Sequence, residues 1–185
     1  MKITSSTLKR LAIPAVVAGL ALPLVVASPA SAQPAASTVV RSFGTVSVSA
    51  RDGGNTGDVA NDVRFFASGT FLHVEDDNGI TAGPGCSQLS PTVARCGTLS
   101  GVTRLSATLR DGDDEVDVEV ARNATIDAGS GSDDVTTSSG SDTINIRDGG
   151  GGDVVESCGG GSDTVFMDSV GDQAAANCEF VNDQD

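Results

Sequence analysis

The sequence predicts an all-β protein whose second half is a β-solenoid and whose first half is rich in short strands. From Thr45 to Leu109, short β-branched runs are separated by Gly, Asn, Asp and Pro clusters, which is typical of strands and turns. From Asp111 onward, Gly, Asp and an aliphatic residue recur every 9 to 11 residues. Such a period is typical of stacked coils, in which each row contributes one turn and one short strand.

Residues 1–32 are predicted to form a signal peptide. The segment begins with Lys2, Lys9 and Arg10, continues as an apolar stretch broken by prolines, and ends in Ala-Ser-Ala at Ala32. This order is typical of a leader that is cleaved after export. A membrane anchor is the alternative, but the stretch is shorter than the roughly 18 uninterrupted apolar residues that favour a spanning helix. We therefore expect a secreted, extracellular protein in which 33–44 is a flexible tether.

The chain after the predicted leader is strongly acidic. Residues 33–185 contain 8 arginines, no lysine and 25 acidic residues, and the whole chain has neither Trp nor Tyr. A surface this negative repels phosphates and anionic headgroups, and it lacks the aromatic side chains on which bases stack. We expect no nucleic-acid binding and no membrane insertion, and we expect cations to be the natural partners.

Four cysteines follow the predicted leader, namely Cys86, Cys96, Cys158 and Cys178. An even number in an exported chain favours disulfides over metal thiolates, although four cysteines allow three pairings. The short separations favour Cys86 with Cys96 and Cys158 with Cys178. Zinc is the weaker alternative, because no C-x-x-C spacing occurs and His73 is the only histidine.

The repeat after Asp111 is regular in three positions: a Gly, an Asp two residues later, and an aliphatic residue two residues after that. The rows are Gly112-x-Asp114-x-Val116, Gly131-x-Asp133-x-Val135, Gly140-x-Asp142-x-Ile144, Gly151-x-Asp153-x-Val155 and Gly161-x-Asp163-x-Val165. One more row keeps Ile126 but has Ala124 in the Asp position. Only stacking can bury the single aliphatic side chain that each row turns inward.

Asp is an unexpected choice for a turn residue that recurs in register. Stacked strands lie about 5 Å apart, so successive carboxylates repel by about 1 to 3 kcal/mol per pair. A hard divalent cation between them would reverse the sign of this interaction. Ca²⁺ suits such a site because it accepts about six to eight oxygen ligands in flexible geometry, including turn carbonyls. The alternative is a metal-free β-helix whose turn carboxylates are simply solvated.

These rows resemble the hemolysin-type, or RTX, calcium-binding nonapeptide G-G-x-G-x-D-x-U-x. The row 128–136 matches it with Gly129, Gly131 and Asp133, and the row 158–166 matches nearly as well. The resemblance implies a right-handed parallel β-solenoid, of the β-roll or β-helix type, with two rows per coil. It also implies Ca²⁺ between coils, held by Asp side chains and turn carbonyls.

The resemblance implies up to three Ca²⁺ sites, with a gap at the row of Ala124. The sites would pair Asp114 with Asp133, Asp133 with Asp153, and Asp142 with Asp163. The implied metal ligands are Asp114, Asp133, Asp142, Asp153 and Asp163, with the turn residues Gly112, Gly129, Gly131, Gly140, Gly151 and Gly161.

The expected organisation after the tether is a strand-rich region at 45–110, repeats at 111–168, and a C-terminal cap and tail at 169–185. The longer step of 11 residues before Asp153 predicts a bulge near Gly149 to Gly152. This layout also resembles small secreted calcium-binding proteins of high-GC Gram-positive bacteria.

The resulting hypothesis is a secreted calcium-binding protein, not an enzyme, in which Ca²⁺ orders an extracellular scaffold or interaction module. The competing class is a carbohydrate-active β-helix enzyme, a lyase or epimerase. That chemistry requires His73 and an arginine such as Arg64 or Arg147 to share a groove with a carboxylate. A membrane-active toxin is a third class, and the composition does not suggest the exposed apolar surface that it needs.

Overall fold

The computed structural model describes residues 34–51 and 59–184. The predicted leader 1–32 lies outside the described residues. The prediction of an all-β fold is confirmed, with one 3-10 helix at Leu99–Gly101 as the helical element of the described part. The strands are β1 (Ser37–Ser42), β2 (Thr45–Ala50), β3 (Asp62–Ser68), β4 (Phe71–Asp76), β5 (Ile80–Ala82), β6 (Ser87–Gln88), β7 (Val93–Thr98), β8 (Arg104–Thr108), β9 (Glu115–Val118), β10 (Asn123–Asp127), β11 (Asp134–Thr136), β12 (Ser139–Gly140), β13 (Thr143–Asn145), β14 (Val154–Ser157), β15 (Gly160–Gly161), β16 (Thr164–Met167), β17 (Gln173–Ala174) and β18 (Phe180–Asp183).

The strands form two eight-stranded sheets and one small two-stranded sheet, β12 with β15. The first sheet has the order β18-β16-β13-β10-β8-β2-β1-β5, and the second has the order β17-β14-β11-β9-β3-β4-β7-β6. From β8 onward the strands of the two large sheets belong alternately to the first and the second sheet, and neighbours within each sheet run parallel. In the N-terminal half, antiparallel pairs such as β1 with β2 and β3 with β4 make both sheets mixed.

The aliphatic residues of the rows form two buried columns, one on each sheet. In the second sheet Val116, Val135 and Val155 are in register, and each is at most 1% exposed. In the first sheet Ile126, Ile144 and Val165 are in register, and each is at most 2% exposed. Rows two apart in the sequence therefore stack on each other in parallel, and each side chain lies in register with residues of the neighbouring strands.

Truncation inside this column is expected to destabilise the protein strongly. Ile144 is fully buried, so Ile144→Ala should lower the free energy of unfolding by about 2 to 5 kcal/mol. Its neighbour Thr143 is exposed on the same strand, and Thr143→Ala should change that free energy by no more than about 0.5 kcal/mol. Urea unfolding of both variants measures the difference. Equal midpoints would contradict a stacked core.

The N-terminal half is built of short strands, as the sequence predicts, and one of them, β1, lies before the predicted strand-rich region. The structure differs from the predicted flexible tether at 33–44, because β1 (Ser37–Ser42) pairs with both β2 and β5. Val39 is fully buried, and the Ser37 hydroxyl donates a 2.6 Å hydrogen bond to the buried carboxylate of Asp76. Ser37 and Val39 of β1 are buried and Thr38 between them is exposed, a short alternation that is hard to recognise in a segment rich in Ala, Pro and Ser.

The C-terminal segment 169–185 also continues the two sheets instead of forming only a cap and tail. Strand β17 pairs with β14 in the second sheet, and β18 pairs with β16 in the first. Both disulfides have the pairing that the spacing favours, Cys86 with Cys96 and Cys158 with Cys178. Within the described residues, no helix is long and apolar enough to cross a membrane.

Candidate functional site

The five aspartates of the rows lie in two stacks at the starts of the strands. Each aspartate immediately precedes a strand, and the parallel pairing of those strands brings together residues that are 19 to 21 positions apart. We call Asp114, Asp133, Asp153 and Asp172 the long file. We call Asp142, Asp163 and Glu179 the short file.

Each carboxylate of a file accepts a hydrogen bond from the backbone beside the preceding strand of the same sheet. In the long file the N–H of Asp114 donates to Oδ1 of Asp133 at 2.9 Å, and the N–H of Asp133 donates to Oδ1 of Asp153 at 2.8 Å. In the short file the N–H of Asp142 donates to Oδ1 of Asp163 at 2.8 Å. One oxygen of each carboxylate therefore ties two coils together.

Both files begin at residues without a carboxylate. The N–H of Asn61 donates to Oδ1 of Asp114 at 2.6 Å, and the N–H of Ala124 donates to Oδ1 of Asp142 at 2.7 Å. Ala124 thus lies in the row next to Asp142, at the position where the sequence predicts a gap.

Sequence reasoning missed the last member of each file. The N–H of Asp153 donates to Oδ1 of Asp172 at 3.3 Å, and the N–H of Asp163 donates to Oε2 of Glu179 at 2.9 Å. Both residues precede a strand and have an aliphatic residue two positions later. Neither has a Gly two positions earlier, so the three-position pattern excluded them.

The second oxygen of the predicted aspartates is buried and has no partner. These residues are at most 3% exposed, and among the described residues nothing hydrogen-bonds to their Oδ2 atoms. The Thr137 hydroxyl lies near the Asp142 carboxylate and partly offsets the rise in its pKa that burial causes. The two groups do not, however, meet the geometry of a hydrogen bond. A buried carboxylate oxygen without a partner is costly unless a proton or a cation neutralises it. The residues concerned are Asp114, Asp133, Asp142, Asp153 and Asp163.

Burial raises the pKa of Asp114, Asp133, Asp142 and Asp153 and so makes them weaker acids. Desolvation raises the pKa of Asp114 to about 7 and the pKa values of Asp133 and Asp153 to about 6, and the backbone hydrogen bonds oppose the shift. Neighbouring carboxylates add to it, with Asp148 acting on both Asp133 and Asp153. Desolvation also raises the pKa of Asp142. Protons and cations therefore compete for the same oxygens near neutral pH.

Each predicted turn glycine lies against a backbone carbonyl of the neighbouring coil. Gly131 and Gly161 have φ values of 153° and 151°, and a Cβ on either would collide with the carbonyl oxygen of Gly112 or Gly140. The turns therefore stack backbone on backbone, which only glycine permits. The remaining turn glycines meet a carbonyl oxygen in the same way, namely Gly112, Gly129, Gly140 and Gly151.

No three Asp, Glu, His or Cys side chains of the described residues come close enough together to hold a metal ion by themselves. Where two rows stack, a file carboxylate accepts a hydrogen bond from the backbone of the other row, and turn carbonyls lie against the turn glycines. Carboxylate and carbonyl oxygens are hard ligands, which suit Ca²⁺ better than zinc. Both cysteine pairs are disulfides and are not available to a metal.

Two residues of the competing enzyme hypothesis, His73 and Arg64, both pack on Phe66. His73 is 8% exposed and stacks on Phe66 at 5.4 Å between ring centroids. Arg64 lies over the same ring and forms ion pairs with Glu75 at 2.7 Å and Glu119 at 3.2 Å. This packed arrangement gives His73 little contact with solvent.

Arg147, the other arginine of the enzyme hypothesis, is hydrogen-bonded to the backbone. It donates to the backbone carbonyls of Met167 and Asn182, and so ties β16 and β18 to the chain before them.

A scan against protein-family models, a search of curated proteins and a search of solved structures all return no match for this chain.

Proposed function

We propose that this chain is a secreted protein that binds Ca²⁺ through its two carboxylate files, and that the ion orders an extracellular scaffold or interaction module. The observation that carries this proposal is the set of five buried aspartates, each with one oxygen bonded to the neighbouring coil and one without a partner. They are the same five residues that the repeat pattern singled out for metal binding.

The lack of a basic counter-ion supports a bound cation. The ion pairs found in the described part of the chain join Arg64 to Glu75 and Glu119, away from both files. With no lysine after the predicted leader, a metal ion is the simplest positive charge that can neutralise stacked carboxylates. Ca²⁺ accepts the carbonyl oxygens and waters that would complete a site with two carboxylates.

We further propose that the chain is a right-handed parallel β-solenoid of the RTX type from the row of Asp114 onward. The alternation of strands between two sheets supports this fold, because each coil then consists of two rows and two turns. The coil length of 19 to 21 residues between stacked aspartates also supports it. Two disulfides fit an oxidising compartment and therefore an exported protein.

The proposal is tested by isothermal titration calorimetry of the purified, metal-free protein with Ca²⁺. Asp133 would contribute to two sites and Asp114 to one, so Asp133→Asn is expected to lose more bound Ca²⁺ than Asp114→Asn. Asparagine keeps an oxygen to accept the N–H of the neighbouring coil but removes the charge. Asp134 is the matched control, since it is exposed beside Asp133, and Asp134→Asn should bind as the wild type does.

A wild-type protein that takes up no Ca²⁺ at millimolar concentration would overturn the proposal. Equal losses in the variants at Asp133 and Asp134 would overturn the assignment of the ligands, because a nonspecific effect of surface charge would then explain the binding.

A further inference from the structure

We propose that the outer face of the first sheet binds an extended, uncharged polysaccharide. This face lies apart from the two files, which stand at the starts of the strands. Six parallel neighbours form it, namely β2, β8, β10, β13, β16 and β18. In the middle of the face one hydroxyl residue from each of the first five strands is in register with the next, and Phe180 of β18 continues the row. We call these five residues the hydroxyl column: Ser47, Ser106, Thr125, Thr143 and Thr164.

The hydroxyl groups of the column are available to a ligand. Each of the five residues is exposed or half-buried and lies between two buried residues of the chain, so it points away from the core. Within the part of the chain that the structure describes, none of the five hydroxyls is hydrogen-bonded to another group of the protein. Neighbouring strands lie about 4.8 Å apart, so the column is a regular row of donors and acceptors about 20 Å long.

The hydroxyl column is uncharged although the chain is strongly acidic. The charged residues Arg104 and Asp127 lie on the same face, but in the columns beside it. The outer face of the second sheet is different, because Asp62, Glu115 and Asp134 are in register there, and carboxylates line a hollow of about 160 Å³. Both faces consist of parallel strands, so strand geometry does not explain why one face is acidic and the other is not.

Two phenylalanines lie at one end of the hydroxyl column. Phe180 is in register with Thr164 and is 59% exposed. Phe166 is half-buried on the strand of Thr164, two positions further along. A sugar ring has C–H groups on its faces and hydroxyl groups at its rim, so it can pack on an aromatic side chain while its hydroxyls bond to Ser and Thr. Free hydroxyls beside exposed aromatic side chains therefore suit a sugar ligand.

Spacing and charge together favour a neutral polymer over other sugar ligands. The column offers a similar contact on each strand, so a chain of repeating units can add many weak contacts along it, whereas a single sugar can use only a few. Anionic polymers are disfavoured, since residues 33–185 contain 8 arginines and 25 acidic residues. A cationic partner would bind the acidic face of the second sheet instead. The ligand class that remains is an extended chain of uncharged sugars.

The test measures how much of the protein sediments with microcrystalline cellulose in millimolar Ca²⁺. The wild type is expected to bind, and Thr125→Glu is expected to weaken binding by more than about tenfold, because its charge would lose solvent against an uncharged surface. Thr136 is half-buried on the second sheet, so Thr136→Glu makes the same change in charge and should bind as the wild type does. A wild type that stays in solution, or equal binding by the wild type and a folded Thr125→Glu, would overturn the proposal.

A second measurement applies even if Thr125→Glu fails to fold. Cellohexaose, a soluble fragment of cellulose, should shift the amide NMR resonances of Ser106, Thr125 and Thr143 in the wild type and leave those of Glu115 and Asp134 unchanged. Shifts confined to Glu115 and Asp134 would contradict the choice of face. Sedimentation velocity of the protein alone examines the remaining occupant. A wild-type dimer that Thr125→Glu dissociates would show that a second copy covers this face, and the proposal would then be wrong.

Discussion

Removal of Ca²⁺ is expected to lower the midpoint of thermal unfolding by roughly 10 °C, since 1 kcal/mol corresponds to about 2 to 4 °C in a protein of this size. With a dissociation constant of about 0.1 mM and about 1 mM free ion, each site would stabilise the fold by roughly 1.4 kcal/mol. Three sites would contribute about 4 kcal/mol, a large share of a typical total of about 5 to 15 kcal/mol. The buried, unpartnered oxygens of both files are the physical reason, because without the ion their repulsion and desolvation are uncompensated.

Differential scanning calorimetry with chelator and with Ca²⁺ measures this effect. Mg²⁺ is the control, since it requires a stricter octahedral geometry and gives up its waters reluctantly, so it should restore little of the lost stability. The shift should shrink in Asp133→Asn and remain in Asp134→Asn. An identical midpoint with chelator and with Ca²⁺ would show that the ion has no structural role.

The stability of the metal-free protein is expected to fall as the pH rises from about 4 to about 7. The unfolded aspartates titrate near their ordinary pKa of 3.8, whereas burial raises the pKa of Asp114 to about 7 and those of Asp133 and Asp153 to about 6. In this window the folded state holds protons that the unfolded state has lost, so raising the pH favours unfolding. The stabilisation that protonation provides is fully present below the unfolded pKa of 3.8. It is lost as the pH rises through the folded pKa values of about 6 and about 7.

Urea unfolding of the metal-free protein at several pH values between about 4 and 8 tests this prediction. Saturating Ca²⁺ should raise the stability most at the upper end, where the carboxylates are ionised and no proton competes. Burial raises the pKa of Asp114 further than those of Asp133 and Asp153, so Asp114→Asn should flatten the profile. A metal-free stability that rises across this range would contradict the burial of the charged files.

The sequence predicted much of the site because its period is a physical constraint. Rows of 9 to 11 residues leave room for one turn and one short strand each. The resemblance to a nonapeptide repeat with two rows per coil implied that Asp114, Asp133 and Asp153 stack, and that Asp142 stacks with Asp163, and the hydrogen bonds agree with this order. Strand β1 and the strands after 168 could not be predicted in this way, because their pairing depends on partners far along the chain.

Asp172 and Glu179 show the same limit within the site. Nothing in the local sequence of Glu179 marks it as the last member of a file, since its role depends on the N–H of Asp163, 16 residues earlier.

The sequence by itself determined the all-β class and the row spacing, and it favoured the cysteine pairing that the structure shows. The resemblance to a known repeat added which aspartates come into register. Only the tertiary structure decided how each carboxylate is used, with one oxygen bonded to the next coil and the other buried without a partner. The reason is that a spacing in sequence sets which residues are neighbours, whereas hydrogen bonding and burial depend on the distance and orientation of coils that the chain reaches only after folding.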